Sequence, residues 1–257
     1  MTGLGQATTR LLVDPVLALV FPSSCPGCGR DVDQPTRGPL CAACWSALPR
    51  HRGPLCPCGF PLPPDAEGPC GRCRRGLAPF ARGASVGPYE GTLRLLVHEM
   101  KFHARRRVAA RLAEALLAST DVRAALAGAD VLVPVPLHPR RRRERGFNQS
   151  ALLARALAGP TGLRVAEDAL ARREDTPPQT GLSAAQRRAN VARAFVVRRR
   201  PAVAGRIVVL VDDVLTTGAT ARACARALTQ AGAAQVRLVT AARVDLSGDP
   251  ADIEEEP

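Results

Sequence analysis

The chain has 257 residues, 46% hydrophobic and 3% aromatic, with 36 Lys and Arg against 23 Asp and Glu for a net charge of +13. This length buries one full α/β core with a smaller module beside it. The charge points to acidic partners such as phosphates or nucleic acid, the paucity of aromatic rings argues against a multi-base stacking platform, and no apolar run approaches the roughly 18 residues that span a bilayer, so no membrane insertion is expected.

Residues 1–21 read as a helical lead-in. The apolar stretch 11–21 is short, is broken by Asp14-Pro15, and lacks a charged start and a small-residue cleavage site, so it is not a signal peptide. A soluble, cytoplasmic protein with reduced thiols is expected. Residues 22–78 then carry Cys25, Cys28, Cys41, Cys44, Cys56, Cys58, Cys70 and Cys73, four close pairs among many Gly and Pro. Such a segment has too little apolar periodicity to fold on its own core. Paired thiolates on tight turns complete tetrahedral Zn2+ sites whose binding energy supplies the missing stability. The first four cysteines read C-x2-C-x12-C-x2-C, the spacing of a zinc ribbon, whereas the second four read C-x-C-x11-C-x2-C, which tightens the usual knuckle. One or two structural zinc ions are therefore expected, and adjacent and interleaved pairings of the cysteines both satisfy the spacing. Trp45 and Phe60, among these cysteines, read as packing on the metal sites.

From residue 79 to 245 regular patterning replaces the cysteines, with an α/β reading. A strand at 84–87 precedes helices at 92–102 and 108–117 and an apolar strand at 130–133. Pro134, Val135, Pro136 and Leu137, followed by Arg140, Arg141, Arg142 and Arg143, form a loop of rigid turns and guanidinium groups suited to pyrophosphate. Arg145-Gly146-Phe147-Asn148-Gln149 opens a helix through Leu157. Residues 172–190 are polar, with Pro177-Pro178 and Gly181 as breakers, and read as a mobile cover. The basic clusters at 105–107, 140–143 and 198–200 read equally as nucleic-acid contacts or as a solvated face, since Lys101 is the only lysine and abundant Arg, Ala, Gly and Pro also fit codon bias.

An apolar strand at 207–211 then runs into Asp212-Asp213-Val214-Leu215-Thr216-Thr217-Gly218-Ala219-Thr220 and a helix over 221–231. Amides at a helix N-terminus point outward unpaired and the helix dipole favours negative charge, so a phosphate fits there. Gly218 allows close backbone approach, and the hydroxyls of Thr216, Thr217 and Thr220 add donors. Asp212 and Asp213 would repel a phosphate and are better matched to sugar hydroxyls or a divalent cation. Together these describe a phosphorylated ribose. No G-x-x-x-x-G-K-[ST] occurs, which sets aside a nucleoside triphosphate P-loop. Cys224 reads as a small buried residue, residues 246–257 as a disordered acidic tail, and His51, His98, His103 and His138 show no ligand or triad spacing.

The acidic pair followed by T-T-G-x-T resembles the 5-phosphoribosyl-1-pyrophosphate (PRPP) signature of type I phosphoribosyltransferases. With the cysteine pairs, the P-V-P-L loop, R-G-F-N-Q, Lys101-Phe102, and Arg172, Thr176, Gln179, Leu182, Arg187, Asn190 and Phe195, the sequence resembles the ComF family over roughly residues 11–243. Its one departure is Cys56-Pro57-Cys58, where the family has C-x2-C-G. The resemblance implies an open, mostly parallel sheet flanked by helices behind a double zinc ribbon. It implies that residues 214–220 bind PRPP, that Asp212 and Asp213 hold the ribose hydroxyls, and that Mg2+ and Arg residues near the P-V-P-L loop, Arg145 among them, stabilise pyrophosphate. Arg172, Thr176, Gln179, Arg187 and Asn190 would belong to a flexible covering loop. Two functions fit: phosphoribosyl transfer to an unknown acceptor, linked to DNA uptake in natural transformation, or a module without turnover that senses PRPP or binds single-stranded DNA beside the uptake machinery. No aromatic ring follows Phe195 to stack an acceptor base, which argues against base salvage.

Overall fold

The computed structural model describes residues 24–76, 80–103, 106–173 and 194–244. At its centre lies a five-stranded, wholly parallel sheet in the order β1-β7-β6-β2-β3. Its strands are β1 (Arg82–Pro88), β2 (Val131–Pro134), β3 (Arg164–Val165), β6 (Ile207–Leu215) and β7 (Gln235–Arg243). The near-continuous apolar runs of β2 and β6 are those of strands buried on both faces. Val209, Val211, Leu132 and Val239 point into one core; Val208, Leu210, Val131, Val133 and Leu238 point into the other.

Two short helices precede the sheet, α1 (Ala42–Ser46) and α2 (Gly71–Arg74). The first core is covered by α3 (Gly91–His103), α4 (Arg106–Ala118), α5 (Thr120–Leu126) and α7 (Gln149–Thr161), through residues such as Leu96, Leu112, Val122 and Leu153. The second is covered by α8 (Ala219–Gln230) and an antiparallel ribbon of β4 (Leu170–Arg172) with β5 (Phe195–Val197). The helices that follow the adjacent strands β2 and β6 therefore pack on opposite faces. That arrangement leaves a crevice outside the carboxyl ends of the two strands, where ligands of open α/β sheets sit.

Three segments differ from the sequence reading: Arg172 lies in β4, paired with Phe195, and not in a covering loop; β6 runs on through both acids to Leu215 because its ladder with β7 continues; and the turn of arginines after Leu137 is helical. The arginines after Leu137 lie in a short helix, α6 (Pro139–Arg145), and not in a loop. His138 Nδ1 accepts from the Arg140 amide at 3.2 Å, Pro139 occupies the first turn, and Gly146 ends the helix in the left-handed region. Capping at both ends stabilises a turn of arginines that periodicity alone would not mark.

The cysteine-rich segment repeats one design. Cys25 donates its amide to Arg30 O at 2.7 Å and Gly29 closes on Cys25 O at 2.8 Å; in the second copy Cys56 donates to Phe60 O at 2.8 Å and Gly59 closes on Cys56 O at 2.7 Å. The second knuckle is one residue shorter but keeps the same ladder, because Gly59 takes φ +80° directly after Cys58. The later cysteines of each set begin a short helix, with Cys41 capping α1 and Cys70 capping α2.

Both copies pack into the sheet's own cores. Cys25, Val32, Leu40, Cys41 and Leu48 belong to the first core; Cys56, Cys58 and Cys70 belong to the second. The edge strand β1 receives them on alternate small residues. Gly83 donates its amide to Pro57 O at 2.8 Å, and His51 Nε2 lies 2.7 Å from Ser85 Oγ. A Cβ on Gly83 would sit 2.3 Å from Cys58 O, and one on Gly87 would sit 2.1 Å from Pro49 O. Backbone cannot yield as a flexible side chain does, so Gly83→Ala and Gly87→Ala are each expected to destabilise the protein by roughly 1–3 kcal/mol. Thermal unfolding of the zinc-loaded variants checks this. Farther round, Trp45 lies under Arg111, whose guanidinium is 3.6 Å from the ring centroid and is paired with Glu114.

Candidate functional site

Strand β6 continues through both acids to Leu215, so Asp212 and Asp213 are fixed by the ladder with β7, with Asp212 opposite Thr240 and Val214 opposite Ala242. Asp212 Oδ1 accepts from Ser150 Oγ at 2.9 Å and from the Asp213 amide at 2.9 Å. Burial, and then the charge of Asp213, push the Asp212 carboxyl well above its ordinary range, against the pull of those two donors. Asp213 is 6% exposed; its Oδ1 accepts from the Val214 amide at 2.8 Å, and its Oδ2 lies 3.2 Å from Lys101 Nζ.

After Leu215 the chain turns through Thr216, Thr217 and Gly218 into α8. Gly218, at φ +72°, is its N-cap residue. Ala219 donates to Thr217 Oγ1 at 3.4 Å and Arg222 Nη1 to Thr217 O at 2.7 Å, which holds the turn from its flank. No internal acceptor is present, among the described residues, for the amides of Thr216, Thr217, Gly218 and Thr220. These donors face a cleft of about 210 Å³ whose geometry suits an anion. A side chain at residue 218 would be strained in the left-handed region and would meet Arg222 Nη1 at 3.2 Å. Gly218→Val is therefore expected to weaken anion binding about tenfold or more, measured by calorimetry with inorganic phosphate, and to lower the melting temperature by several degrees.

The cleft brings together most of the residues singled out from sequence. Asp212, Asp213, Val214, Leu215, Thr216, Thr217, Gly218 and Thr220 form one wall, and Val135, Pro136, Leu137, Arg145 and Arg172 the other. Pro134 stays in β2, buried, and Ala219 lies off the wall. Thr176, Gln179, Arg187 and Asn190 lie outside the described residues. Ser150 was not singled out from sequence and His138 was given no role, while Lys101, Gln149 and Arg141 entered only within the K-F pair, the R-G-F-N-Q motif and the Arg140 to Arg143 cluster. Lys101, His138, Arg141 and Gln149 line the cleft, and Ser150 supports Asp212 from α7. Lys101 carried two signals: it stands in the K-F pair and it is the sole lysine. Pro136, Leu137 and Arg172 also wall an adjoining cavity of about 450 Å³ with Arg142, Asp168 and Arg198.

The eight thiols settle into two sets in chain order, Cys25, Cys28, Cys41 and Cys44, then Cys56, Cys58, Cys70 and Cys73, and within each set all sulfurs lie within 4.8 Å of one another. Sγ separations of 3.6 Å for Cys28 to Cys41, 3.4 Å for Cys56 to Cys73 and 3.7 Å for Cys58 to Cys70 match the edge of about 3.8 Å that Zn–S bonds of about 2.3 Å impose on a tetrahedron. The Cys56-Pro57-Cys58 spacing therefore still closes a set, and the Cys70 amide donates to Cys56 Sγ at 3.2 Å. Burial resists ionisation of Cys25, but amide donors from Cys41, Gly27 and Cys28 bring its thiol down to about 7. Cys44 is pushed up to about 12 by its side-chain bond to Cys28, then by burial. Four thiols so close cannot all ionise without a cation, and the donor set is that of structural zinc.

A family profile described as "Double zinc ribbon domain" matches residues 16–74, and one described as "Phosphoribosyl transferase domain" matches residues 144–254. The DNA utilization protein YhgH of Salmonella typhi is 41% identical over 160 residues, 61% of this chain and 70% of that protein. Competence protein F of Haemophilus influenzae is 32% identical over 162 residues, 62% of this chain and 71% of that protein. Competence protein ComFC of Bacillus subtilis is 32% identical over 107 residues, 40% of each. A solved glutamine PRPP amidotransferase from B. subtilis is 24% identical and covers 56% of this chain and 30% of its own length, with a TM-score of 0.39. No helix among the described residues is long and apolar enough to cross a membrane. The chain belongs to the ComF family, with a phosphoribosyltransferase-type domain behind a double zinc ribbon.

Proposed function

We propose that the protein binds Mg-PRPP in the cleft after β6 and transfers the phosphoribosyl group to an acceptor, in the cytoplasm and in the setting of DNA uptake. The observation that carries this reading is the pairing of unsatisfied amides at Thr216, Thr217, Gly218 and Thr220 with two acids on the same cleft wall. The amides and threonine hydroxyls would hold the 5-phosphate, and Asp212 and Asp213 would accept from the ribose hydroxyls. In the transfer, the bond from C1 to pyrophosphate oxygen breaks with its electron pair leaving on pyrophosphate, and the acceptor's lone pair forms the new bond at C1. Arg141, Arg145 and Arg172, which line the cleft, would take up the charge that develops on the leaving group. Bound Mg2+ would add to that charge neutralisation at the pyrophosphate oxygens. The chain with Thr176, Gln179, Arg187 and Asn190 would cover the cleft, keeping water from a reactive C1. The adjoining cavity of about 450 Å³ gives the acceptor room next to C1.

The names of the relatives support the setting: a DNA utilization protein and a competence protein. A second reading, single-stranded DNA binding without turnover, draws on α6, whose Arg140, Arg141, Arg142 and Arg143 are exposed. The two are separated by incubating the protein with Mg-PRPP and candidate acceptors and measuring pyrophosphate. Release that depends on acceptor is expected. DNA binding with a steep salt dependence, and no pyrophosphate with any acceptor, would favour the second reading.

A further inference from the structure

Of the 36 Lys and Arg residues, one alone is lysine, and it stands in the candidate site. Lys101 comes from α3 and lines the cleft, and its Nζ lies 3.2 Å from Asp213 Oδ2, with its side chain 24% exposed and that of Asp213 9%. The ammonium also lies 5.9 Å from the centre of the Tyr89 ring, which fixes it from behind. The other cationic side chains of this cleft, Arg141, Arg145 and Arg172, are arginines. A planar guanidinium fork takes a carboxylate bidentately and occupies the lone pairs on both oxygens, whereas an ammonium is a compact point charge that takes one. A buried carboxylate with no counter-ion is costly, and a carboxylate clamped by a fork has no oxygen left for a ligand.

We propose that Lys101 is a positioning residue: its ammonium holds the Asp213 carboxylate in place at the cleft while leaving it able to receive the ribose hydroxyls. This rests on the PRPP reading above. It makes Lys101 a residue for the sugar and not for phosphate, and it gives a reason for lysine at this one position in a chain otherwise supplied with arginine.

The test compares three probes, Mg-PRPP, ribose 5-phosphate and Mg-pyrophosphate, by calorimetry on zinc-loaded wild type, Lys101→Met and Lys101→Arg. Both variants are expected to bind Mg-PRPP and ribose 5-phosphate about tenfold more weakly or worse, the first through loss of charge and the second through clamping of Asp213, with Mg-pyrophosphate binding unchanged. Equal weakening of pyrophosphate would make Lys101 a phosphate-contacting cation and overturn the proposal, as would wild-type affinity for ribose 5-phosphate in Lys101→Met or in Lys101→Arg. Should Lys101→Met fail to fold, the wild type still decides. Lys101 is the single side-chain amine, and its acetylation by N-hydroxysuccinimidyl acetate, followed by peptide mass spectrometry, is expected to fall as ribose 5-phosphate fills the cleft and to be untouched by Mg-pyrophosphate. Protection by neither probe overturns the proposal. If wild type binds neither Mg-PRPP nor ribose 5-phosphate, the PRPP reading itself fails, a result distinct from loss confined to the variants.

Discussion

Asp213→Asn is expected to abolish acceptor-dependent pyrophosphate release, lowering the rate roughly 10²–10³-fold or more, with the fold and zinc content retained. Asn has nearly the same shape but presents one oxygen and an NH2 where the site presents a carboxylate. The Asp213 oxygens accept from the Val214 amide at 2.8 Å and pair with Lys101 Nζ at 3.2 Å. An amide set there can point its NH2 at Lys101 or at the Val214 amide, and either choice sets donor against donor. Asp212→Asn is expected to lose binding as well, yet to raise the melting temperature at neutral pH. The sign follows from the Asp212 carboxyl, which burial and the charge of Asp213 push above its ordinary value of 3.8. A carboxyl whose folded value is raised stabilises the fold below the unfolded value, where it is protonated, and that stability is lost as pH rises through the raised folded value. The neutral amide removes this loss while still accepting from Ser150 Oγ and the Asp213 amide. Thermal denaturation of both proteins at neutral and mildly alkaline pH checks the gain, and equal melting temperatures would contradict it. An acid kept where it destabilises the fold is what a binding site requires.

The second large effect is metal removal. Two zinc ions per chain are expected by elemental analysis, and their chelation should unfold the knuckles and lower the stability of the whole protein, not of the cysteine-rich segment alone. The reason lies in the packing. Cys25 and Cys41 belong to the core that α3 and α4 share with β6, while Cys56, Cys58 and Cys70 belong to the core under α8. Structural zinc contributes roughly 10–16 kcal/mol of apparent binding free energy per site in small modules, so even a fraction transmitted through those cores is a large part of the margin of a typical domain. Chelation should also loosen the ligand cleft, because Arg243, opposite Leu215 in the ladder, donates to Gly59 O at 2.7 Å. A single cooperative transition at lower temperature is expected in the chelated protein. One equivalent of zinc, or an unchanged melting curve after chelation, would contradict the account.

The parts legible in the sequence were those written in local chemistry. The acidic pair, the two threonines and Gly218 mark a strand-to-helix turn because each residue type has few other uses there, and the cleft gathers these residues as the motif implied. The cysteine spacings marked two metal sets. They left the pairing open, since nothing local says which knuckle faces which helix; the sheet decides it by taking one set into each core. The Arg-rich turn after Leu137 reads as loop because a helix of one basic face has no apolar period, and its caps, His138 and Gly146, become visible only with their partners. Gly83 and Gly87 gave no sign of crossing another backbone, because β1 meets the cysteine-rich segment at long range. Ser150 escaped, and Lys101 was legible only as half of the K-F pair with no role, for the same reason: their chemistry depends on Asp212 and Asp213, which lie 62 and 112 residues farther along the chain.

The measurement that bears most directly on the central claim is a calorimetric titration of the zinc-loaded wild-type protein with Mg-PRPP. A turn of amides with no acceptor among the described residues, on the same wall as two aspartates, predicts saturable uptake of one ligand per chain, with Asp213→Asn showing none. Absence of saturable binding, or binding of equal strength in Asp213→Asn, would contradict it.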